Sequence, residues 1–306
     1  DALFRVRQVA SDGFFDVNNG SSQLENVGEL ANQGIELAVT GNVFSRGEYG
    51  LELGATLYTN SSEVTLPAEV PDFTAGAGWG WVINGESVPV MRPDWCLANP
   101  NDKADPIEER HGTTRADGSV VDCTVGPNAP THIIGGFATV NLPYGLTISA
   151  RGEYQGGHYI YDGAAWNAIR RSVIWPGCYD VYNIIEKQGY DQTTAKQRAM
   201  CDVEWNRADY LIYPADFFKI REITASIPIP DRFMPWGEDA SFTLSGRNVW
   251  RWLNDDFPVL DPEMTNNNDN NPLSRDGTSS GAFLEASLLE HIPPPQTWTA
   301  AIRVHF

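Results

Sequence analysis

Connections of two lengths alternate strictly along this chain, and few folds are built that way. In order they run loop, turn, loop, turn, loop, turn, loop. The segments between them alternate in polarity residue by residue. The last, Thr297 to Phe306, shows it most plainly: Trp298, Ala300, Ile302, Val304 and Phe306 are apolar, whereas Thr297, Thr299, Arg303 and His305 are polar. A period of two places the two sets on opposite faces of a β-strand. About ten residues is also the length of a strand that crosses a bilayer at a tilt. Short turns at one end and long loops at the other are the mark of a transmembrane β-barrel.

The other segments agree. Ile35, Leu37, Val39 and Val43 alternate with Glu36, Ala38, Thr40 and Asn42. Across a turn at Ser45–Glu48, Leu51, Leu53, Ala55 and Leu57 alternate with Glu52, Gly54, Thr56 and Tyr58, which completes a hairpin. A second hairpin joins Ile134–Leu142 to Leu146–Tyr154 through Pro143-Tyr144-Gly145, and a third joins Phe217–Ile229 to Ser241–Trp252. Residues 1–10 read as the end of a strand, 11–29 as a Gly/Ser/Asn-rich loop, and Thr193–Met200 as a short helix. The expected class is all-β: about eight antiparallel barrel strands, part of a larger barrel, with short periplasmic turns and long extracellular loops. Parity then puts Trp250, Trp252 and Trp298 at the outer interface and Phe306 at the periplasmic rim, as interfacial aromatics. One strand breaks the pattern, because Phe218 and Ile220 lie on the opposite parity to Ile223, Ala225 and Ile227. A β-bulge near Arg221–Glu222 would reconcile them. Asn248 also falls on the apolar parity of its strand, and the sequence does not explain it.

Composition excludes several classes. Lys and Arg number 21 against 40 Asp and Glu, a net charge of −19, so no basic stripe exists to neutralise nucleic-acid phosphates. No apolar run of about 18 residues is present, which excludes a transmembrane helix but not a barrel. Asp1 is not an initiator methionine and no signal segment follows it, so the chain reads as mature or as a fragment. Cys96, Cys123, Cys178 and Cys201 lie in long polar loops without zinc spacing. Two disulfides within single loops, Cys96–Cys123 and Cys178–Cys201, are the better account, with free thiols as the alternative.

No catalytic constellation stands out, and no cofactor is expected. Glu108 and Glu109 beside His111 read as a solvated loop run. Asp261–Glu263 with Asn266–Asp269 and Asp276 is oxygen-rich enough for calcium, although an ordinary polar loop fits the irregular spacing better. Trp79, Trp81, Trp95, Trp166, Trp175 and Trp205 sit in the long loops. There they either face a ligand or form small cores beneath the disulfides.

Four motifs in order carry a family resemblance. Asn32-Gln33-Gly34-Ile35-Glu36-Leu37 resembles the Asn-Lys/Arg-Gly-Ile/Val-Glu-Leu strand of TonB-dependent outer-membrane receptors of the SusC/RagA type. Asp216-Phe217-Phe218-Lys219-Ile220-Arg221-Glu222-Ile223-Thr224 and Ser245-Gly246-Arg247-Asn248-Val249, followed by Trp252 and Asp261-Pro262-Glu263, are similar to further motifs of that family. The aromatic terminal strand is the fourth. The family has a plug inside a barrel of about 22 strands. The resemblance therefore implies that residues 1–306 are a C-terminal portion of such a receptor, without its plug, in the bacterial outer membrane. It also implies nutrient import of glycans or peptides, contact with lipid, a SusD-like surface lipoprotein, and the TonB complex engaged through the absent N-terminal region. Glu222 departs from the family's Asn, and Pro228 interrupts the strand end. The alternatives are a siderophore- or cobalamin-type receptor, a complete eight-stranded barrel, and a secreted soluble β-sandwich that binds ligands.

Overall fold

The computed structural model describes residues 2–8, 22–74, 80–93, 95–97, 99–103, 109–111, 123–170, 175–202, 209–233, 239–258, 261–263 and 293–305. Its principal element is an eight-stranded antiparallel sheet in which every strand pairs with the next one in the chain. The strands are β1 (Ala2–Gln8), β2 (Ser22–Arg46), β3 (Tyr49–Thr65), β4 (His132–Asn141), β5 (Thr147–Gly156), β6 (Phe217–Ile229), β7 (Asp239–Leu253) and β8 (Thr297–His305). Three of these pairings, β2 with β3, β4 with β5 and β6 with β7, follow from short turns that leave the next strand as the neighbour. Among the described residues no pairing joins β1 to β8, so the sheet they form is open.

β2 starts earlier than its alternation suggests. Residues 22–29, expected as loop, are strand, and they pair with β1 from Ala2↔Glu29 to Gln8↔Ser22. β3 likewise continues to Thr65. These ends lie beyond the apolar band, where a strand needs no apolar face and its sequence carries little period-two signal.

Register sorts the side chains into rows across the sheet. One row reads Leu51, Val140, Ile148, Ala225, Leu244 and Ala300. Another reads Leu37, Leu57, Ile134, Tyr154, Phe218 and Trp252. No second layer of described residues covers this apolar face: Ile35 is 64% exposed, and Trp298 and Ile302 are each 60% exposed. A β-sandwich would bury these side chains as its core, and among the described residues no such core forms on this face. Trp250, Trp252 and Trp298 are exposed on this same face, while Phe306 lies outside the described residues. Trp298 pairs with Gly246, where an added Cβ would come within 2.7 Å of the indole. No described helix is long and apolar enough to cross a membrane.

The buried apolar residues lie instead in a cap formed by the first two loops after β3. Met91 and Leu97 from one loop cluster with Tyr161, Ala165, Ala199 and Leu211 from the other. The backbone joins the loops too, with Ala195 N donating to Asp102 O at 2.8 Å and Lys196 N to Pro100 O at 2.9 Å. The second loop carries α1 (Gly163–Arg170), α2 (Tyr179–Gln188) and α3 (Ala195–Met200). Thr194 closes a capping box with Gln197 at the start of α3, which lies within the helix expected over Thr193–Met200. α1 and α2 have no such box and were not legible. Cys96 bonds to Cys123 and Cys178 to Cys201, each within one loop. Reduction should therefore expose the cap to protease while leaving the heat-modifiable mobility of the sheet unchanged. Loss of both together would mean that the cap supports the wall.

Candidate functional site on the polar face

The polar face is built around an irregularity. Between β5 and β6 the register shifts between Arg151 and Gly152, and between β6 and β7 it shifts between Ile220 and Glu222. Arg221 is thus an extra residue on β6, answered on β7 by Asn248 and Val249. Asn248 takes φ 52°, a left-handed conformation that asparagine tolerates, and its side-chain amide donates to Pro295 O at 3.2 Å. This accounts for the parity break of β6 and for the misplaced Asn248 together. The bulge also has a chemical result, since it lets the neighbours Arg221 and Glu222 both reach partners on the polar side, along with Lys219.

Six charged groups meet there. The Arg221 guanidinium grips Glu263 with two parallel bonds of 2.6 Å and donates a third, of 2.7 Å, to Glu153. Lys219 Nζ donates to Asp261 Oδ1 at 2.6 Å and also to Glu263. Arg251 reaches Asp261 Oδ2 at 3.4 Å. Three cations therefore face three carboxylates, Glu153, Asp261 and Glu263. The Lys219 and Asp261 side chains are only 4% and 2% exposed. Burial alone would raise the Glu263 carboxyl, but the hydrogen bonds from Arg221 and Lys219 outweigh it and hold the group below its ordinary value. The start of the last long loop is thereby fixed to the wall. Asp261 and Glu263, which the sequence reading weighed for calcium but placed in an ordinary polar loop, are held by an ammonium and two guanidinium groups. Asn266–Asp269 and Asp276 lie outside the described residues, and among those described no group of His, Cys, Asp and Glu suits a metal.

Toward the turn end of the sheet the next row runs Gly54, Phe137, Arg151, Glu222, Arg247 and Thr297. Glu222 is shared, at 2.9 Å from Arg151 and 3.5 Å from Arg247. Phe137, Arg151, Glu153 and Arg221 line a depression of about 630 Å³ whose floor includes Gly54 and Gly152. The following row is Glu52, Thr139, Ser149, Thr224, Ser245 and Thr299, and beyond it Ser226 and Thr243 share a bond of 3.0 Å.

Of the loop tryptophans, Trp81, Trp166 and Trp175 have described side chains. Trp166 and Trp175 pack against the cap core, and the Arg92 guanidinium lies 4.8 Å from the centre of the Trp81 ring. Trp79 and Trp205, the side chain of Trp95, Glu108, and the side chains of Glu109 and His111 lie outside the described residues. What the sequence reading missed is the ionic cluster. Its signal was Lys219 and Arg221 flanking Ile220 at the parity break, with Asp261-Pro262-Glu263 downstream.

The cap joins the sheet at a buried histidine. Gly157 N donates to Asp216 Oδ1 at 2.7 Å, and Ala215 N donates to His158 O at 2.9 Å. His158 stands edge-on to Phe217, and its Nδ1 has no hydrogen-bond partner. Burial pushes it from 6.5 down to about 4, with His132 adding to the effect and Asp216 opposing it. Because the folded value is depressed, the junction is most stable above pH 6.5 and should weaken as pH falls from 6.5 toward 4. Hydrogen exchange at residues 157–161 should rise over that window in the wild type. In His158→Gln the rise should be absent; an equal rise there would place the titrating group elsewhere.

No family model and no curated protein matches the chain. Solved structures do. The RagAB peptide importer in its closed-closed state aligns over 94% of this chain with TM-score 0.63 and 14% identity. The open-open state aligns over 98% with TM-score 0.67 and 12% identity. A third structure, of the RagAB peptide transporter, aligns over 94% with TM-score 0.61 and 14% identity. In each case this chain spans 31% of the other chain's length. Identity this low shows a shared fold, and the shared fold is that of part of a transporter chain.

Proposed function

We propose that this chain is part of the wall of a TonB-dependent nutrient receptor of the SusC/RagA type in a bacterial outer membrane. Its apolar face meets lipid and its charged face lines the lumen. The observation that carries the reading is the uncovered apolar face, backed on the same strands by one that carries the charged and hydroxyl side chains. Dimensions support it: about ten residues at roughly 3.4 Å each, tilted by about 45°, span roughly 24 Å, close to the apolar band of such barrels. The long loops then cap the outer mouth, and the turns lie in the periplasm.

Cargo of the peptide class is favoured by the likeness to peptide importers, with glycans as the neighbouring option. On this reading a SusD-like surface lipoprotein sits over the cap, and the TonB complex acts through the N-terminal part of the receptor. The wall contributes binding and passage, with no chemical step. Fractionation of cells that express the full-length protein tests the placement. It should appear in the outer membrane with heat-modifiable mobility, and its deletion should abolish energy-dependent peptide uptake. Recovery as a soluble periplasmic protein would end the proposal.

A further inference from the structure

We infer that the depression beside Phe137 is a subsite for a carboxylate carried next to an apolar group, as at the C-terminal residue of a short peptide. The inference rests on the reading of this face as the lumen wall. Three observations converge on it.

The first is charge. Arg221 is saturated by Glu153 and Glu263, so those groups cancel within the cluster. Arg151 is not saturated in this way. Its counter-ion Glu222 is shared with Arg247, and the two guanidinium groups remain 63% and 67% exposed. Two cations on one carboxylate leave a net charge of +1 on this row, in a chain whose total is −19. A guanidinium offers five N–H donors in a planar fork, suited to bidentate binding of a carboxylate.

The second is the aromatic ring. Phe137 is the cross-strand neighbour of Arg151 and is 39% exposed, on the face that also carries the ionic cluster and the hydroxyl row. Its ring occupies the space that a side chain on Gly54 would need, since a Cβ there would come within 2.1 Å of the ring. The ring is therefore held against the wall with its other side open, a platform rather than a core residue. The third is concavity. The depression bounded by Phe137, Arg151, Glu153 and Arg221 has a volume of about 630 Å³, which accommodates one amino-acid-sized group with its carboxylate.

Calorimetry on the purified full-length receptor, with Ala-Ala-Phe and its C-terminal amide as probes, tests this. The free acid should bind about 10- to 100-fold more tightly than the amide, the worth of one charge-assisted hydrogen bond. Arg151→Gln should abolish that preference while leaving the amide's affinity unchanged. Glu222→Gln should strengthen binding of the acid, because it frees Arg151, an effect opposite in sign to misfolding. Phe137→Ala should weaken both probes alike. Equal binding of acid and amide by the wild type, no binding of either, or a preference that survives Arg151→Gln would overturn the subsite. So would an Arg151→Gln variant that loses only thermal stability, since Arg151 would then be a contact to another segment of the receptor. Such failures in a protein that still inserts into the outer membrane would leave the transport reading intact.

Discussion

Lys219→Met in the full-length protein will lower stability by about 3–5 kcal/mol, far more than a change on the solvent-exposed loops. The loss does not measure the attraction within the pair. It arises because Asp261, 2% exposed, keeps its charge while its nearest cation disappears, and Arg251 at 3.4 Å cannot replace a contact of 2.6 Å. Glu263 loses a donor as well but keeps both bonds from Arg221. The double variant Lys219→Met/Asp261→Leu should recover most of the loss, since buried pairs replaced by apolar groups of similar size are often neutral. Denaturant midpoints of wild type, both singles and the double complete the cycle. Proteolysis should also show the Asn254–Glu263 segment released in the singles and retained in the double. If the double were no better than Lys219→Met alone, the cluster would not be what holds this loop to the wall.

That cluster marks where the sequence stopped being legible. Alternation along a strand is a local signal, so the hairpins, their faces and the closing strand could be read from residues such as Ile148, Thr224 and Ile302. The bulge was visible too, since Phe218 and Ile220 contradicted Ile223 within one strand. Asn248 was not, because it answers Arg221 on the neighbouring strand, and only the paired register brings the two together. Lys219 and Asp261 are 42 residues apart, separated by a whole hairpin, and a carboxylate at the start of a loop looks alike whether it is destined for calcium, water or lysine. The cap was the least readable part. Its core takes one or two residues from each of many short segments, such as Met91, Leu97, Ala165 and Leu211, and no segment is long enough to show a period.

Arginine placed on the uncovered face will separate a lipid-facing wall from every soluble arrangement of these strands. Ile148 and Ile302 lie in apolar rows, beside Val140 and Ala225 in one case and beside Phe242 in the other. If lipid covers them, Ile148→Arg and Ile302→Arg should each cost about 2–4 kcal/mol near the midplane, because a guanidinium there must be dragged to the interface or hydrated by thinning the bilayer. Thr299 is three residues away on the same closing strand as Ile302 but belongs to the hydroxyl row with Ser245. It faces the polar side, so Thr299→Arg should cost little. The contrast is internal, since residues on one strand share backbone, exposure and synthesis and differ only in the face they present. Heat-modifiable mobility and outer-membrane yield of the full-length variants give the readout, with the two isoleucine variants depleted and the threonine variant near wild type. Equal tolerance on both faces would mean that no lipid touches this sheet, and the apolar rows would then need another covering surface.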